Sequence, residues 1–283
     1  MSQSEPLAGV RVVTLAINLP GPLAVARLCA LGASVVKVEP PAGDPLRFAT
    51  PQWYDELAKG QRIVALDLKD PADRAQFDAE LADAHLLVTS MRPSALRNLG
   101  LAELAKTHPH LSHVEIVGHD GPQAELPGHD LTYQAAHGTL VPPTMPTVPI
   151  VDFLGAERAV SAALLGLMTS TNSATGSHHR VVLEDAAEHA GAAVRYGLMG
   201  ADAPLSGANP AYGIYATADG HVALAAIEPH FWTRTRAALG VNGTHEEIAN
   251  VLATRTTNEW EEIAQRMDIP LAGIRESPRA ETN

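Results

Sequence analysis

Residues 9–39 read Gly-Val-Arg-Val-Val-Thr-Leu-Ala-Ile-Asn-Leu-Pro-Gly-Pro-Leu-Ala-Val-Ala-Arg-Leu-Cys-Ala-Leu-Gly-Ala-Ser-Val-Val-Lys-Val-Glu. Two β-branched runs, 9–15 and 34–39, flank an Ala/Leu-rich stretch that opens with Gly21-Pro22 and closes at Gly32. Short β-branched runs of this kind are typical of buried strands. The stretch between them has the composition of a helix, and a glycine is a common helix C-cap. The segment therefore predicts a strand, a helix and a second strand.

The same alternation continues through the first half of the chain. Further strands are predicted at 62–67, 85–89 and 113–117, and Asp70-Pro71 predicts the start of the helix that follows 62–67. The Pro-rich stretch after Glu39 predicts a long loop that reaches about Gly60. Strands that alternate with helices form a parallel sheet, which carries its ligands at the carboxyl ends of its strands.

The second half of the chain has a mixed pattern. Apolar helical patterns are predicted at 153–170 and 185–199, with a strand at 180–184 between them. Two strand-like runs, 213–217 and 221–226, are joined around Asp219-Gly220 and predict a β-hairpin. Three further helices are predicted at 230–239, 244–253 and 257–267. The chain is thus predicted to be an α/β protein whose second part combines a hairpin with helices.

Composition and motifs exclude several classes of function. The net charge of −12 argues against a nucleic-acid partner, because phosphate binding requires a basic surface. No apolar run reaches membrane-spanning length, and the N-terminus lacks the pattern of a secretion signal, so a cytoplasmic location is expected. The first strand is not followed by Gly-x-Gly-x-x-Gly, so neither NAD nor a flavin is expected. One cysteine and no zinc-ligand spacing predict no metal site.

Candidate catalytic groups lie in the segment 126–155. Pro- and Gly-rich, loop-like sequence surrounds His129 and Asp152, and loops on a rigid scaffold often carry catalytic groups. Each residue also has a purely structural alternative. His129 could stand at the start of a helix with its ring held by a backbone carbonyl, and Asp152 could be the N-cap of the helix at 153–170. Arg92, between a strand and a proline, is the preferred anion contact, since a guanidinium binds phosphate bidentately.

A series of motifs resembles one family in the same order along the chain. Similarity to class III CoA-transferases, the CaiB/BaiF family, extends over Leu7–Val13, Leu31–Pro41, Ala65–Lys69, Met91–Pro93, Leu99–Leu101 and Gly118-x-x-Gly-Pro122. This family also includes α-methylacyl-CoA racemases. Four further segments are similar to the racemase branch in particular: Gly128-His129-Asp130-Leu-x-Tyr133, the Asp152 segment, Tyr212–Gly220 and Ala226-Ile-Glu228-Pro229.

The resemblance implies a Rossmann-like large domain, residues 1–185, that binds a coenzyme A (CoA) thioester as substrate, and a small α+β domain, residues 186–283. It also implies an interlocked homodimer in which the large domain and the partner's small domain together hold CoA. His129 and Asp152 would act as acid/base groups, and Glu228 would support them. Residues predicted to contact the CoA thioester are Lys37, Arg62, Arg92 and Tyr133.

Three hypotheses about function follow. The first is racemisation or epimerisation of a 2-methylacyl-CoA-type thioester by proton transfer at the α-carbon through His129 and Asp152. The second is CoA transfer between carboxylic acids, in which Asp152 attacks the thioester and forms a mixed anhydride. The third is an inactive relative that binds CoA thioesters. It is suggested by Asp152-Phe-Leu-Gly155 in place of the family's Gly-rich turn, by a compressed region before Tyr212, and by an early end of the sequence.

Overall fold

A computed structural model describes residues 5–173 and 175–275 of the chain. They form two compact units whose boundary falls between Ala190 and Gly191. The boundary predicted from the sequence, after residue 185, falls in the same helix, Leu183–Arg195. The strands of the first unit are β1 Arg11–Thr14, β2 Ser34–Glu39, β3 Arg62–Ala65, β4 Leu86–Thr89, β5 Ser112–Val117 and β6 His178–Val182.

Nine helices begin within the described part of the first unit. They are α1 Pro20–Ala30, α2 Pro45–Ala49, α3 Pro51–Ala58, α4 Pro71–Ala82, α5 Pro93–Asn98, α6 Leu104–Thr107, α7 Asp130–Ala136, α8 Ile150–Ser173 and α9 Leu183–Arg195. Helix α9 crosses the boundary between the units. In the described ranges, no helix is both long enough and apolar enough to span a bilayer.

The first unit is built on a six-stranded sheet in which every neighbouring pair of strands is parallel. The strand order is β3-β2-β1-β4-β5-β6, so the chain builds outward from β1 to one side and then crosses to β4 on the other. Such a reversal opens a crevice at the carboxyl ends of the two central strands, where ligands bind in doubly wound folds. The predicted parallel α/β architecture is therefore confirmed.

Both faces of this sheet are covered by helices. Alternate residues of one strand reach opposite faces, so Val12 packs into the core on the side of α1 and α8, and Val13 into the core on the side of α4. Both side chains are almost fully buried. Each buried valine contributes about 1.5–3 kcal/mol to the free energy of folding, so the β-branched run that predicts β1 also holds the two helical layers together.

The segment between β2 and β3 differs from the predicted long loop, because it contains α2 and α3. Each helix has a proline in its first turn, where the missing N–H costs nothing. Asp44 caps α2, and its carboxylate accepts a hydrogen bond from the Leu46 N–H at 3.0 Å. Tyr54 of α3 is buried and donates a hydrogen bond to Glu39 at 2.6 Å, which ties this segment to the end of β2.

The second unit combines a small sheet with three helices. Its strands are β7 Tyr212–Ala216, β8 His221–Ala225 and β9 Leu271–Gly273, and its helices are α10 Pro229–Leu239, α11 His245–Leu252 and α12 Thr257–Met267. The predicted hairpin is β7 and β8, antiparallel with Tyr215 opposite Val222. Helix α12 begins at Thr257, as predicted, and a capping box formed by Thr256 and Glu259 opens it.

Candidate active site

A cavity of about 550 Å³ lies at the carboxyl edge of the six-stranded sheet. Its wall is formed by the segments that follow β1, β4 and β5, together with the start of α7 and the first turn of α8. It therefore occupies the crevice that the strand order creates between β1 and β4. The polar and titratable groups on its wall include Asn18, Ser90, Arg92, His129, Tyr133 and Asp152.

His129 lies at the N-cap of α7. Its backbone makes the local hydrogen bonds: the His129 N–H donates to Thr132 Oγ1 at 3.0 Å, and the Thr132 hydroxyl donates to the His129 carbonyl at 2.8 Å. Within residues 5–173 and 175–275, no hydrogen bond from its ring to a backbone carbonyl is present, so the alternative of a ring held in this way is not supported. Because the residue is exposed on the cavity wall, its imidazole is accessible to a bound molecule.

Asp152 is the third residue of α8 and is half-buried. The helix begins at Ile150 rather than at Phe153, so the alternative of Asp152 as the N-cap is also wrong. The orphan N–H groups of this turn are satisfied from another helix, because Asp130 Oδ1 accepts from the Val151 N–H at 2.8 Å and from the Asp152 N–H at 3.2 Å. The Asp152 carboxylate is thus free of the capping role.

The surroundings of Asp152 disfavour its charged form. Burial, followed by the nearby charge of Asp130, raises the pKa of Asp152 from 3.8 to about 7. Burial and the charge of Asp152 likewise raise the pKa of Tyr133 to about 12, so Tyr133 keeps its proton at neutral pH. Asp152 therefore exists in both protonation states near pH 7, which suits a group that alternately takes up and donates a proton.

Asp152→Asn is expected to be more stable than the unaltered chain at pH 8, and equally stable near pH 4. The folded-state pKa of about 7 exceeds the value of 3.8 for an unperturbed carboxyl, so the native state binds more protons between these values. Stability is then lost as the pH rises from about 4 to 7, at about 1.4 kcal/mol per pH unit, whereas asparagine cannot ionise. Urea unfolding of both proteins across this range tests the expectation; a stability difference that does not change with pH contradicts it.

Tyr133 fits against two glycines on the cavity wall. A Cβ atom at Gly118 would lie 2.2 Å from the Tyr133 hydroxyl oxygen and 3.4 Å from Cζ, while a Cβ at Gly128 would lie 2.3 Å from that oxygen and 2.5 Å from Cε1 and Cζ. The Tyr133 ring also makes an edge-on contact with His119, with the ring centroids 5.3 Å apart. Gly118 and Gly128, both part of the family motifs, are therefore needed because the tyrosine occupies the space of a side chain.

Tyr133→Phe is expected to rescue Gly118→Ala but not Gly128→Ala. Each alanine alone overpacks the site and should lower the free energy of unfolding by about 1–3 kcal/mol. Removing the hydroxyl clears the clash at residue 118, whereas at residue 128 the ring carbons remain too close. Denaturant unfolding of the single and double variants measures this, and equal rescue of both alanines would show that the packing differs from that described.

The structure brings some of the predicted CoA contacts to the cavity and not others. Arg92 and Tyr133 line it. Lys37 is buried, with its Nζ 2.6 Å from Asp44 Oδ2 and 2.9 Å from Glu39 Oε1. Arg62 is the first residue of β3, so it lies at the amino end of that strand, away from the carboxyl ends where a parallel sheet carries its ligands, and it pairs with Glu80.

Glu228 belongs to the second unit, where it precedes Pro229 as the N-cap residue of α10. Strand β8 ends at Ala225, three residues before Glu228. Its support of His129 and Asp152 stays a prediction.

Two residues that the sequence analysis assigned no role also shape the cavity. Asn18, on its wall, has a positive φ of 69°, a conformation that asparagine tolerates better than most residues. The Asn18 N–H donates to Asp44 Oδ1 at 3.0 Å, so a fully buried carboxylate fixes the loop after β1. Asp44-Pro45 has the same pattern as Asp70-Pro71, from which the start of α4 is predicted. This pattern could have identified Asp44 as a helix N-cap.

Comparison with known proteins places the chain among CoA-thioester enzymes. Over 333 residues it is 26% identical to the cinnamoyl-CoA:phenyllactate CoA-transferase of Clostridium sporogenes, with 96% of this chain and 78% of that protein covered. It is 28% identical over 301 residues to the mouse α-methylacyl-CoA racemase, with 93% of this chain and 76% of the racemase covered. Several other curated CoA-transferases match over less than half of their own length.

A solved structure and a family profile complete the comparison. The crystal structure of a CaiB/BaiF family protein from Brucella suis superposes with a TM-score of 0.79 at 22% identity, over 97% of this chain and 85% of that one, and so shares its fold. The profile of CoA-transferase family III matches residues 7–282, nearly the whole sequence. Together with the sheet order and the cavity at its carboxyl edge, this match gives the assignment: the chain belongs to CoA-transferase family III, an enzyme family of CoA-transferases and racemases.

Proposed function

We propose that the protein racemises or epimerises a 2-methylacyl-CoA-type thioester. One observation carries this assignment: His129 and Asp152 line the same cavity, and the pKa of Asp152 is raised to about 7. Inversion at an α-carbon requires one group that removes a proton and another that supplies one, each at a pKa near the working pH. The carboxyl group of Asp152 titrates near neutrality, and the accessible imidazole of His129 can exchange a proton with a bound molecule.

The proposed reaction proceeds in two proton transfers. One of the two groups takes the α-hydrogen as a proton, and the electron pair of the C–H bond moves into the thioester to give an enolate. The other group then donates a proton to the α-carbon, which restores the thioester with inverted configuration. Arg92 lies on the same cavity wall and would hold the substrate through an anionic group of CoA.

CoA transfer between carboxylic acids is the second candidate. It is favoured by the C. sporogenes relative, which is a CoA-transferase. In this reaction the Asp152 carboxylate attacks the thioester carbonyl, CoA leaves as its thiolate, and an acyl-aspartyl anhydride forms. The thiolate attacks the aspartyl carbonyl and releases the donor acid, and the acceptor carboxylate then displaces the thiolate from the aspartyl thioester to form a second anhydride. Attack of the thiolate on the acceptor's carbonyl releases Asp152 and the new CoA thioester. A carboxyl group with a pKa of about 7 is partly ionised at neutral pH, which is enough for this attack. A carboxylate that acts only as a nucleophile would, however, be favoured by a lower pKa that keeps it ionised.

Two assays on the purified protein distinguish these reactions. Incubation of (2R)-2-methylacyl-CoA in D₂O should introduce deuterium at the α-position and produce the 2S epimer, detected by mass spectrometry and chiral chromatography. Hydroxylamine should trap an acyl-aspartate at residue 152 only if the transferase reaction operates. Binding of acyl-CoA with neither deuterium uptake nor trapping would support the inactive relative and contradict both enzymatic assignments.

Assembly and location complete the proposed function. We propose a cytoplasmic protein and an interlocked homodimer; the family resemblance implies this dimer, in which Glu228 and its unit would help to hold CoA. Sedimentation velocity of the purified chain should give a dimer at micromolar concentration. A monomer that turns over acyl-CoA at full rate would contradict the need for a partner subunit.

A further inference from the structure

Asp130 connects the two helices that carry the candidate catalytic groups. It is the first residue of α7, immediately after His129, and its carboxylate reaches the first turn of α8. One oxygen, Oδ1, accepts the N–H groups of Val151 and Asp152, and the other, Oδ2, accepts from Gln134 Nε2 at 2.5 Å. Gln134 is itself buried, and its Nε2 also contacts the Val148 carbonyl at 3.4 Å. The Asp130 carboxylate is therefore fixed at both oxygens.

A carboxyl group in the first turn of a helix is normally stabilised as the anion, because orphan N–H groups and the positive end of the helix dipole favour negative charge. In α8 that position belongs to Asp152. The N–H groups of Val151 and Asp152 are, however, already occupied by Asp130. Asp152 thus loses the usual stabilisation of its carboxylate and gains a like charge nearby.

We propose that Asp130 is a positioning residue that caps α8 in place of Asp152 and so keeps Asp152 able to hold a proton at neutral pH. This role rests on the proposed function of Asp152 as an acid/base group. Asp130 does not line the cavity, so it acts through Asp152 rather than on the substrate. Among the described residues, the other titratable or charged groups on the cavity wall are His129 and Tyr133 of the α7 segment and Arg92 before α5, and Glu184 and His119 lie near Tyr133. The raised pKa of Asp152, caused by burial and then by Asp130, is consistent with the geometry.

The test is a carboxyl-carbon NMR titration of Asp152 with and without the Asp130 charge. Asp130→Asn keeps an oxygen for the two N–H groups but removes the charge, so the Asp152 midpoint should move to lower pH by about one pH unit. The acidic limb of the activity profile should move in the same direction. An Asp152 midpoint that is the same in Asp130→Asn and in the unaltered chain overturns the role.

The matched control is Asp70→Asn. Asp70 caps α4 through the Ala72 and Asp73 N–H groups, at 2.9 and 3.2 Å, and it lies outside the cavity. It should leave the Asp152 midpoint unchanged; an equal shift would attribute the effect to net charge and overturn the role.

A measurement on the unaltered chain decides the matter if Asp130→Asn does not fold. The chemical shift of the Asp130 carboxyl carbon should change at the Asp152 midpoint, because the two charges interact; an unchanged shift there contradicts the role. The titration needs no substrate, so a failure of the proposed function leaves it interpretable. Conversely, an unchanged Asp152 midpoint in Asp130→Asn, together with intact deuterium exchange at the α-carbon, would contradict the role of Asp130 and leave the proposed racemisation supported.

Discussion

Asp152→Asn is expected to lower the turnover of a 2-methylacyl-CoA thioester by about 10²- to 10⁴-fold, the range for loss of a general acid or base. Asparagine has nearly the shape of a protonated aspartic acid, so the cavity and the first turn of α8 should be preserved while proton transfer is lost. Steady-state rates at pH 7, with binding of the thioester measured separately, test this expectation. Retention of more than about a tenth of the rate would contradict a role for Asp152 in proton transfer.

Asp185→Asn provides a matched control. Asp185 is the third residue of α9, as Asp152 is the third residue of α8, but it is exposed and does not line the cavity. Its replacement should leave turnover unchanged. His129→Ala is the complementary variant. Both Asp152→Asn and His129→Ala retain one of the two groups, so each should still exchange the α-hydrogen of the one epimer whose hydrogen faces that group, without inverting the α-carbon. Loss of exchange for both epimers in both variants would contradict two groups acting on opposite faces.

Lys37→Met is expected to lower the free energy of unfolding by about 3–5 kcal/mol, the usual cost of removing one partner from a buried ion pair. The Lys37 ammonium lies between Asp44 and Glu39, and all three side chains are at most 4% exposed. Without the ammonium, two buried carboxylates would remain with no cation between them. Chemical denaturation monitored by fluorescence measures the loss.

Arg62→Met is the control for this substitution, because Arg62 was also a predicted CoA contact. Its ion pair with Glu80 is exposed, at 52% for the arginine side chain, and such pairs contribute less than about 1 kcal/mol. A small stability change in both variants, accompanied by weaker CoA binding in Lys37→Met, would instead favour the original prediction that Lys37 contacts CoA.

The first unit could largely be predicted from the sequence because its four central strands, β2, β1, β4 and β5, are largely buried on both faces. The runs around Val12 and Val35 are rich in β-branched residues, and the Ala/Leu-rich helix between them leaves few alternative folds. The prediction of a long loop over 40–60 was wrong for a physical reason. Four prolines there suggest a loop, but Pro45 and Pro51 occupy first-turn positions, where proline favours a helix.

The candidate site could be predicted in part. His129 and Asp152 were found because they stand in family motifs, and both line one cavity. Asp130 is part of the same motif, but its role could not be predicted. It caps a helix through Val151, 21 residues further along the chain, and such a distant contact has no local sequence pattern. Lys37 and Arg62 show the same limit: sequence position near a strand end does not tell whether a cation is exposed, buried with carboxylates, or at the opposite edge of the sheet.

The most direct test of the central claim is a crystal structure with acetyl-CoA bound. We expect the α-carbon of the thioester to lie in the cavity at the carboxyl edge of the sheet, within about 3–3.5 Å of both the His129 imidazole and the Asp152 carboxyl group. A thioester bound outside this cavity, or one that contacts neither group, would contradict the proposed chemistry.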